Sequence, residues 1–206
     1  MKNGFGEALD IDGVSDHELE ELERAEEYGA EHLSVLAGQE CPVCRRKEST
    51  FSELEREIPF GEKKVKSYIF SMSCAACGFR KADVELAEAG EPASYELELS
   101  SPEDLNIYVI KSAEAAVRIP DIVSIEPGPA SNGYITTIEG LLKRVVRAIE
   151  LAKEHADEPK EIAKANALLA RLNAALEGKA KLTVIIEDKT GNSAILSPKA
   201  LKHAIA

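Results

Sequence analysis

The four cysteines of this 206-residue chain form two Cys-x-x-Cys pairs, Cys41/Cys44 and Cys74/Cys77. A two-residue spacer lets the backbone turn tightly, so that both sulfur atoms of a pair point at one ion. The 29 residues between the pairs are enough for a β-hairpin that brings the two turns together. Four thiolates in a tetrahedron are a common structural site for Zn²⁺, so we predict that these cysteines bind one zinc ion.

Two disulfides, a redox-active Cys-x-x-Cys motif and an iron ion are the alternatives for the same cysteines. A thioredoxin-type motif begins a helix after a strand, and the residues after Cys44 have little helical character. Four protein ligands leave no open position for substrate, so we expect the metal to serve folding rather than catalysis. Gly78 follows the second pair, where a positive φ eases the turn, whereas Arg45 stands there in the first pair and should strain it.

The composition is that of a globular protein, with 44% apolar and 30% charged residues. No apolar run approaches the roughly 18 residues that span a membrane, and residues 1–10 lack the features of a signal peptide, so we expect a cytoplasmic protein. The net charge is −12, and residues 1–40 hold 12 acids and 2 bases, which gives −10 there. This acidity repels nucleic acid and anionic membranes, and it suits a basic protein partner better.

Three segments surround the β-rich centre of the chain. Residues 1–38 form an acidic arm, in which a capping box of Ser15 and Glu18 predicts a helix running to about Leu36. Residues 39–90 form the cysteine module, with strand-like stretches at 51–58 and 65–72. The tail, residues 198–206, is expected to be frayed or loosely helical.

A mostly β domain is predicted over residues 91–197, and its short strands indicate a β-sandwich or barrel. A helical hairpin at about 136–178 interrupts the strands. Thr136 and Glu139 form the capping box of its first helix, Pro159 begins the second, and Gly178 ends it. The strand-like stretches of this domain are 95–99, 107–110, 115–119, 122–125, 181–186 and 193–196.

The motif search favours a binding protein over an enzyme. The chain has neither a phosphate-binding loop nor a nucleophile elbow, and its histidines are not paired at metal-ligand spacing. One alternative function is an adaptor that binds RNA or the ribosome, because basic and aromatic residues cluster near the hairpin turn. That cluster consists of Lys63, Lys64, Lys66, Tyr68 and Phe70.

An apolar turn, Ile58-Pro59-Phe60, lies between the two strand-like stretches of the cysteine module. An exposed apolar turn is costly and often marks a binding surface. The other interpretation is that Phe60 folds back onto the β-domain.

Over about residues 38–197 the chain resembles the ZPR-type zinc-finger proteins. Two Cys-x-x-Cys pairs alone are generic, but further matching segments in order make the resemblance specific. These segments are Ile58-Pro59-Phe60, Ser101–Leu105, Arg118–Pro120, Ile125–Pro129, Thr137–Gly140, Ile185–Asp188 and Gly191–Ser193. The departures are Gly61 where a second aromatic is common, Arg45 in the first turn, and Lys189 where a proline is common.

The resemblance implies a four-cysteine zinc ribbon followed by a jelly-roll-like β-domain with an inserted antiparallel helical hairpin, present once as in archaeal members. It also implies a protein that binds translation elongation factor 1-alpha and assists that GTPase to fold. Two of the candidate segments have a structural alternative: Thr137–Gly140 as no more than the start of a helix, and Asp188–Ser193 as no more than a turn. The candidate partner contacts are Ile58, Pro59, Phe60, Thr137, Glu139, Gly140, Asp188, Gly191, Asn192 and Ser193.

Overall fold

A computed structural model describes residues 32–205 as twelve β-strands, two α-helices and one 3-10 helix. The helices are α1 (Ile138–Glu154) and α2 (Pro159–Leu176), and the 3-10 helix is Pro102–Asn106. The strands are β1 (His32–Gln39), β2 (Ser49–Phe60), β3 (Lys63–Cys74), β4 (Arg80–Leu86), β5 (Ala93–Leu99), β6 (Tyr108–Lys111), β7 (Ala116–Ile119), β8 (Val123–Ile125), β9 (Tyr134–Thr137), β10 (Leu182–Asp188), β11 (Ala194–Ile195) and β12 (Leu201–Ala204).

The cysteine module is a four-stranded antiparallel sheet in the order β1-β2-β3-β4. Its centre is the long β2–β3 hairpin, which turns at Gly61 with a φ of 62°. The prediction of a helix to about Leu36 is wrong for residues 32–36, because β1 pairs with β2 there. Part of the segment assigned to the arm therefore belongs to the ribbon sheet. The start of the predicted helix, at Ser15 and Glu18, lies outside the described residues.

The β-domain contains a five-stranded sheet, β12-β5-β10-β7-β8, and a three-stranded sheet, β11-β6-β9. Strand β10 lies at the centre of the larger sheet, between β5 and β7, and pairs antiparallel with both. Inward residues of the strands and helices form one buried cluster, which includes Leu97, Val184, Ile186, Leu142 and Leu172. The predicted β-domain with an inserted helical hairpin is confirmed.

The hairpin begins one residue later than the sequence predicts. Thr137, not Thr136, is the N-cap of α1, and its side chain accepts a hydrogen bond from the Gly140 backbone at 3.2 Å. A Cβ on residue 140 would clash with the Thr136 hydroxyl, so a larger residue here would require the Thr136 side chain to move. The second helix begins at Pro159 and ends before Gly178, whose φ of 69° terminates it. Hydrogen bonds from the backbone N–H groups of residues 178 and 179 complete that terminus.

The tail of the chain is a strand rather than a frayed or helical end. Residues Leu201–Ala204 pair with β5 at the edge of the larger sheet. Two side chains reinforce this pairing: Lys199 binds Asp104 at 2.6 Å, and Lys202 lies 5.5 Å from the centre of the Tyr95 ring. The sequence prediction was wrong because the free edge of β5, and not the local residue pattern, decides this conformation.

The ribbon and the β-domain meet at β4, the strand at the ribbon's outer edge. A small buried cluster joins Ile58 and Val84 of the ribbon to Ile110 of β6. Backbone groups of β4 also bond to loops of the β-domain: Ala82 N–H donates to Asn132 Oδ1 at 2.9 Å, and Gly133 N–H donates to Ala82 O at 3.0 Å. These contacts cover an edge that would otherwise present unpaired backbone groups.

Candidate metal centre and partner surface

Two equivalent turns present the cysteine pairs. The backbone N–H of Arg45 donates to Cys41 O at 2.9 Å, and that of Gly78 donates to Cys74 O at the same distance. Both residues have a left-handed backbone, with φ of 62° at Arg45 and 72° at Gly78. The structure therefore confirms that Arg45 occupies the glycine position of the first turn, where a side chain is strained.

The four sulfur atoms lie within 4.8 Å of one another. The Sγ–Sγ distance is 3.6 Å between Cys41 and Cys77 and 3.7 Å between Cys44 and Cys74. A tetrahedron with zinc–sulfur bonds of 2.3 Å has edges of about 3.8 Å, so the cluster already has the dimensions of a zinc site. Because all four ligands come from the chain, this is the closed site expected of a structural zinc ion.

The metal-free cysteines would not ionise equally. Burial opposes ionisation of Cys41, but hydrogen bonds from the Cys44 and Val43 backbones lower its pKa to about 6. The Phe79 backbone favours the Cys77 thiolate, yet burial and the other three sulfurs raise the pKa of Cys77 to about 12. A divalent cation supplies the charge that lets all four bind as thiolates, so metal binding should release protons.

The apolar turn of the ribbon is divided between interior and surface. Ile58 is only 1% exposed and packs in the cluster that joins the ribbon to the β-domain. Pro59 is exposed and Phe60 is partly buried at the end of β2. It is Ile58, rather than Phe60, that packs into this junction, and only Pro59 and Phe60 offer surface to a partner.

The segment Thr137–Gly140 is half-exposed apart from the buried Ile138. Thr137 and Gly140 shape the start of α1 through the cap described above. Glu139 forms an ion pair with Lys143 at 2.7 Å on the helix surface. Of the three predicted contact residues here, Glu139 therefore carries the charge that a partner would meet.

Three residues of the segment Asp188–Ser193 are buried, namely Asp188, Gly191 and Ser193. Asp188 is buried and accepts hydrogen bonds from the Ser112 hydroxyl at 2.9 Å and the Thr190 backbone at 2.7 Å. The hydroxyl of Ser193, which is fully buried, also donates to Asp188. Burial opposes ionisation of Asp188, but these hydrogen bonds outweigh it and lower its pKa.

Gly191 and Asn192 link this segment to the ribbon. Asn192 Oδ1 accepts a hydrogen bond at 3.3 Å from the backbone N–H of Leu86, in β4. Gly191 has a φ of 75°, and its carbonyl accepts from Gly90 N–H at 2.9 Å. Among the predicted contact residues, Asn192 is the one in this segment that remains partly exposed, and its amide oxygen already faces β4.

Sequence reasoning missed the residues that join the two modules. Asp83 Oδ1 in β4 accepts a hydrogen bond at 2.6 Å from the backbone N–H of Ala113 in the β-domain. The backbone of Gly133 passes so close to Asp83 that a Cβ would lie 2.7 Å from Val84 N. The only local signal was the Asn132-Gly133 dipeptide, which indicates a turn but not what it contacts.

The basic cluster near the hairpin turn is largely paired with acids. Lys64 forms an ion pair with Glu57, and Lys66 forms one with Glu55 at 2.5 Å. These acids lie on β2, and each is diagonally across the hairpin from the lysine with which it pairs. Their charges offset those of the lysines, which weakens the case for RNA binding at this surface.

A four-cysteine zinc ribbon joined to a jelly-roll domain defines a class of zinc-finger proteins, and the comparisons identify the family. Residues 103–204 match the ZPR1 jelly-roll domain. A ZPR1-like protein of Pyrococcus horikoshii is 32% identical over 84% of this chain and 79% of its own length. One from Methanocaldococcus jannaschii is 35% identical over 76% of this chain and 79% of its own. The chain belongs to the ZPR1 family.

A eukaryotic relative is longer. The zinc finger chaperone zpr1 of Schizosaccharomyces pombe is 35% identical over 74% of this chain, but the match covers only 33% of that protein. The names of the family members therefore agree with the zinc site, and one of them names a chaperone. None of the helices in residues 32–205 is long and apolar enough to cross a bilayer.

Proposed function

We propose that this protein is a non-enzymatic, cytoplasmic folding helper that binds translation elongation factor 1-alpha. The observation that carries the proposal is the junction between ribbon and β-domain. Buried side chains and hydrogen bonds along β4 hold the two modules side by side. A partner could therefore contact both modules at once. The name of the fission yeast relative, a zinc finger chaperone, supports the choice of a folding role.

The metal site supports a binding role over a catalytic one. Four cysteine ligands surround the ion position and leave no coordination site for a substrate. The zinc ion holds the hairpin at one end, while Ile58 fixes it against the β-domain near the other. A partner would then meet a prearranged surface, which lowers the entropy cost of binding.

The first experiment is a pull-down with the purified, zinc-loaded chain and elongation factor 1-alpha from the same source. We expect binding that survives nuclease and moderate salt, and faster recovery of GTPase activity when the denatured factor is refolded with the chain. Binding that nuclease abolishes would instead support an adaptor on RNA or the ribosome. A factor that neither binds nor refolds better would refute the folding-helper proposal.

The contact surface is tested at the hairpin tip. Phe60→Ala should weaken binding about tenfold, as loss of an aromatic anchor does, without changing the zinc content. Leu201→Ala is the matched control, because Leu201 is also apolar and is 58% exposed, but lies on the outer strand of the β-domain. Equal binding by the two variants would show that the tip is not the contact.

Glu139 tests the second predicted contact. Glu139→Gln removes the surface charge at the start of α1 while leaving the Thr137 cap in place. Weaker binding with unchanged stability would assign Glu139 to the partner surface. Unchanged binding would leave this segment with its structural role only.

A further inference from the structure

The hydroxyl of Ser49 makes no hydrogen bond among residues 32–205, although it is completely buried. Leaving a buried hydroxyl without a hydrogen bond costs roughly 1–3 kcal/mol, so such groups normally have an acceptor. Every other buried side-chain nitrogen or oxygen atom in the described part of the chain has one. The position of Ser49 in the sheet points to a sulfur atom as the acceptor.

Ser49 is the first residue of β2 and lies directly opposite Cys74, the last residue of β3. Side chains of residues directly opposite in an antiparallel pair are on the same face of the sheet. The Ser49 side chain therefore lies on the same face of the sheet as that of Cys74, one of the four zinc ligands. Cys74 is itself only 3% exposed, so its side chain is shielded from bulk solvent.

We propose that the Ser49 hydroxyl donates a hydrogen bond to the Cys74 thiolate and thereby positions that ligand and strengthens zinc binding. A zinc-bound thiolate keeps much of its negative charge and is a good acceptor for an O–H donor. Residues that hydrogen-bond to metal ligands commonly change metal affinity about 10- to 100-fold when they are removed. Ser49 is thus a positioning residue and not a fifth ligand.

The two interpretations of Ser49 predict opposite effects of Ser49→Ala. If the hydroxyl has no partner, its removal relieves an unpaired polar group, and the zinc-loaded protein becomes equally or more stable. If it bonds to Cys74, zinc affinity falls about tenfold. Ser67→Ala is the matched control, because Ser67 is also fully buried in the ribbon, but its hydroxyl bonds to Arg56 O at 3.2 Å.

The test uses the full chain and two measurements. Competition with a chelator of known affinity gives the zinc dissociation constant, which should rise about tenfold in Ser49→Ala and stay unchanged in Ser67→Ala. Replacing zinc with Co²⁺ gives a sulfur-to-cobalt charge-transfer band. Loss of the hydrogen bond raises the electron density on Cys74, so this band should move to lower energy in Ser49→Ala only. Packing changes alone would not produce that shift.

A second pair of variants decides the matter if Ser49→Ala folds poorly. Ser49→Thr and Ser49→Val have the same shape and differ only in the hydroxyl, so any strain from the added methyl group is common to both. Tighter zinc binding and a higher-energy cobalt band in the threonine variant would support the hydrogen bond. Equal zinc affinity and equal band energy in these two variants, or tighter zinc binding by Ser49→Ala than by the parent, would overturn the proposal.

Discussion

Single residues set the strain and the charge balance of the metal site. Arg45 and Gly78 hold the same left-handed position after the two cysteine pairs, but only glycine adopts it without a steric cost. The Arg45 side chain gains little in return, because its ion pair with Glu40 is exposed. The first turn is therefore strained at Arg45, and the second turn, with Gly78, is not.

Arg45→Gly should stabilise the zinc-loaded protein by up to about 1 kcal/mol, since relief of the left-handed strain exceeds the entropy cost of glycine. Gly78→Ala should destabilise it by about 1 kcal/mol, although no atom lies within 4 Å of the added Cβ. Chemical unfolding of both zinc-loaded variants measures the effect. A change of the same sign in both would contradict the conformational explanation.

Asp104 ties the tail to the 3-10 helix and depends on its negative charge. Burial disfavours that charge, but the bond from Lys199 and those from the Ser100 and Ser101 backbones lower the pKa of Asp104 to about 2. The carboxylate is therefore stabilised in the folded state relative to the unfolded chain. This contribution is present above pH 4 or so, and it is lost as the pH falls towards 2.

Asp104→Asn should cost about 2 kcal/mol of stability at pH 7, because the charge-assisted bonds are weakened. The difference from the parent protein should shrink as the pH falls from about 4 to 2, where Asp104 becomes protonated. Unfolding at a series of pH values measures this difference, and Asp157→Asn, at an exposed turn, is the control. A gap that stays constant with pH would show that the charge of Asp104 is not the cause.

At the scale of elements, β4 is the strand that joins the two modules. One edge pairs with β3, and the other bonds to the loops that carry Asn132, Ala113 and Asn192. The contact requires the backbone of Gly133 to lie against Asp83 and Val84, where a Cβ has no room. A glycine is needed at this position because of a neighbouring backbone, and not because of its own φ.

Gly133→Ala should destabilise the protein by about 2 kcal/mol, because the loop must move away from β4 and break the bond between Gly133 N–H and Ala82 O. Gly128→Ala, nearby along the chain, should change stability by less than about 0.5 kcal/mol, since nothing lies within 4 Å of its Cβ. Thermal unfolding of the two variants tests this. Similar losses of stability in both variants would show that the cause is the general change from glycine to alanine, and not the contact with β4.

At the scale of the whole molecule, one large core lies in the β-domain and one small cluster joins it to the ribbon. The β-domain has its own large cluster, built from both of its sheets and from the helical hairpin. The ribbon contributes Ile58 and Val84 to the junction cluster, and otherwise depends on the metal to hold its turns together. Zinc and folding should therefore be linked in the ribbon but not in the β-domain.

Removal of zinc with a chelator should abolish hydrogen-exchange protection in the ribbon, while β5 and β10 keep theirs. The expected boundary lies at β4, whose outer edge is still held by the β-domain. Addition of zinc should restore protection to the ribbon. Simultaneous loss of protection in both modules would show that the junction makes them one cooperative folding unit.

The sequence by itself determined the parts that depend on local pattern or on ligand spacing. The two Cys-x-x-Cys pairs predicted the zinc site, because the spacer alone dictates the turn. The 3.6-residue apolar period and the residues Pro159 and Gly178 predicted the helical hairpin, since helix signals are local. Arg45 was recognised as strained for the same reason.

Only the tertiary structure decided which backbone edges and side chains meet across long separations. Residues 32–36 and 201–204 became strands because β2 and β5 offered them free edges, and no local residue pattern specifies such a partner. Ile58 moved from a predicted contact surface to the junction because Val84 and Ile110 cover it. Pairing across the sheet likewise placed Ser49 beside Cys74, 25 residues away in the chain, because strand register determines which side chains become neighbours.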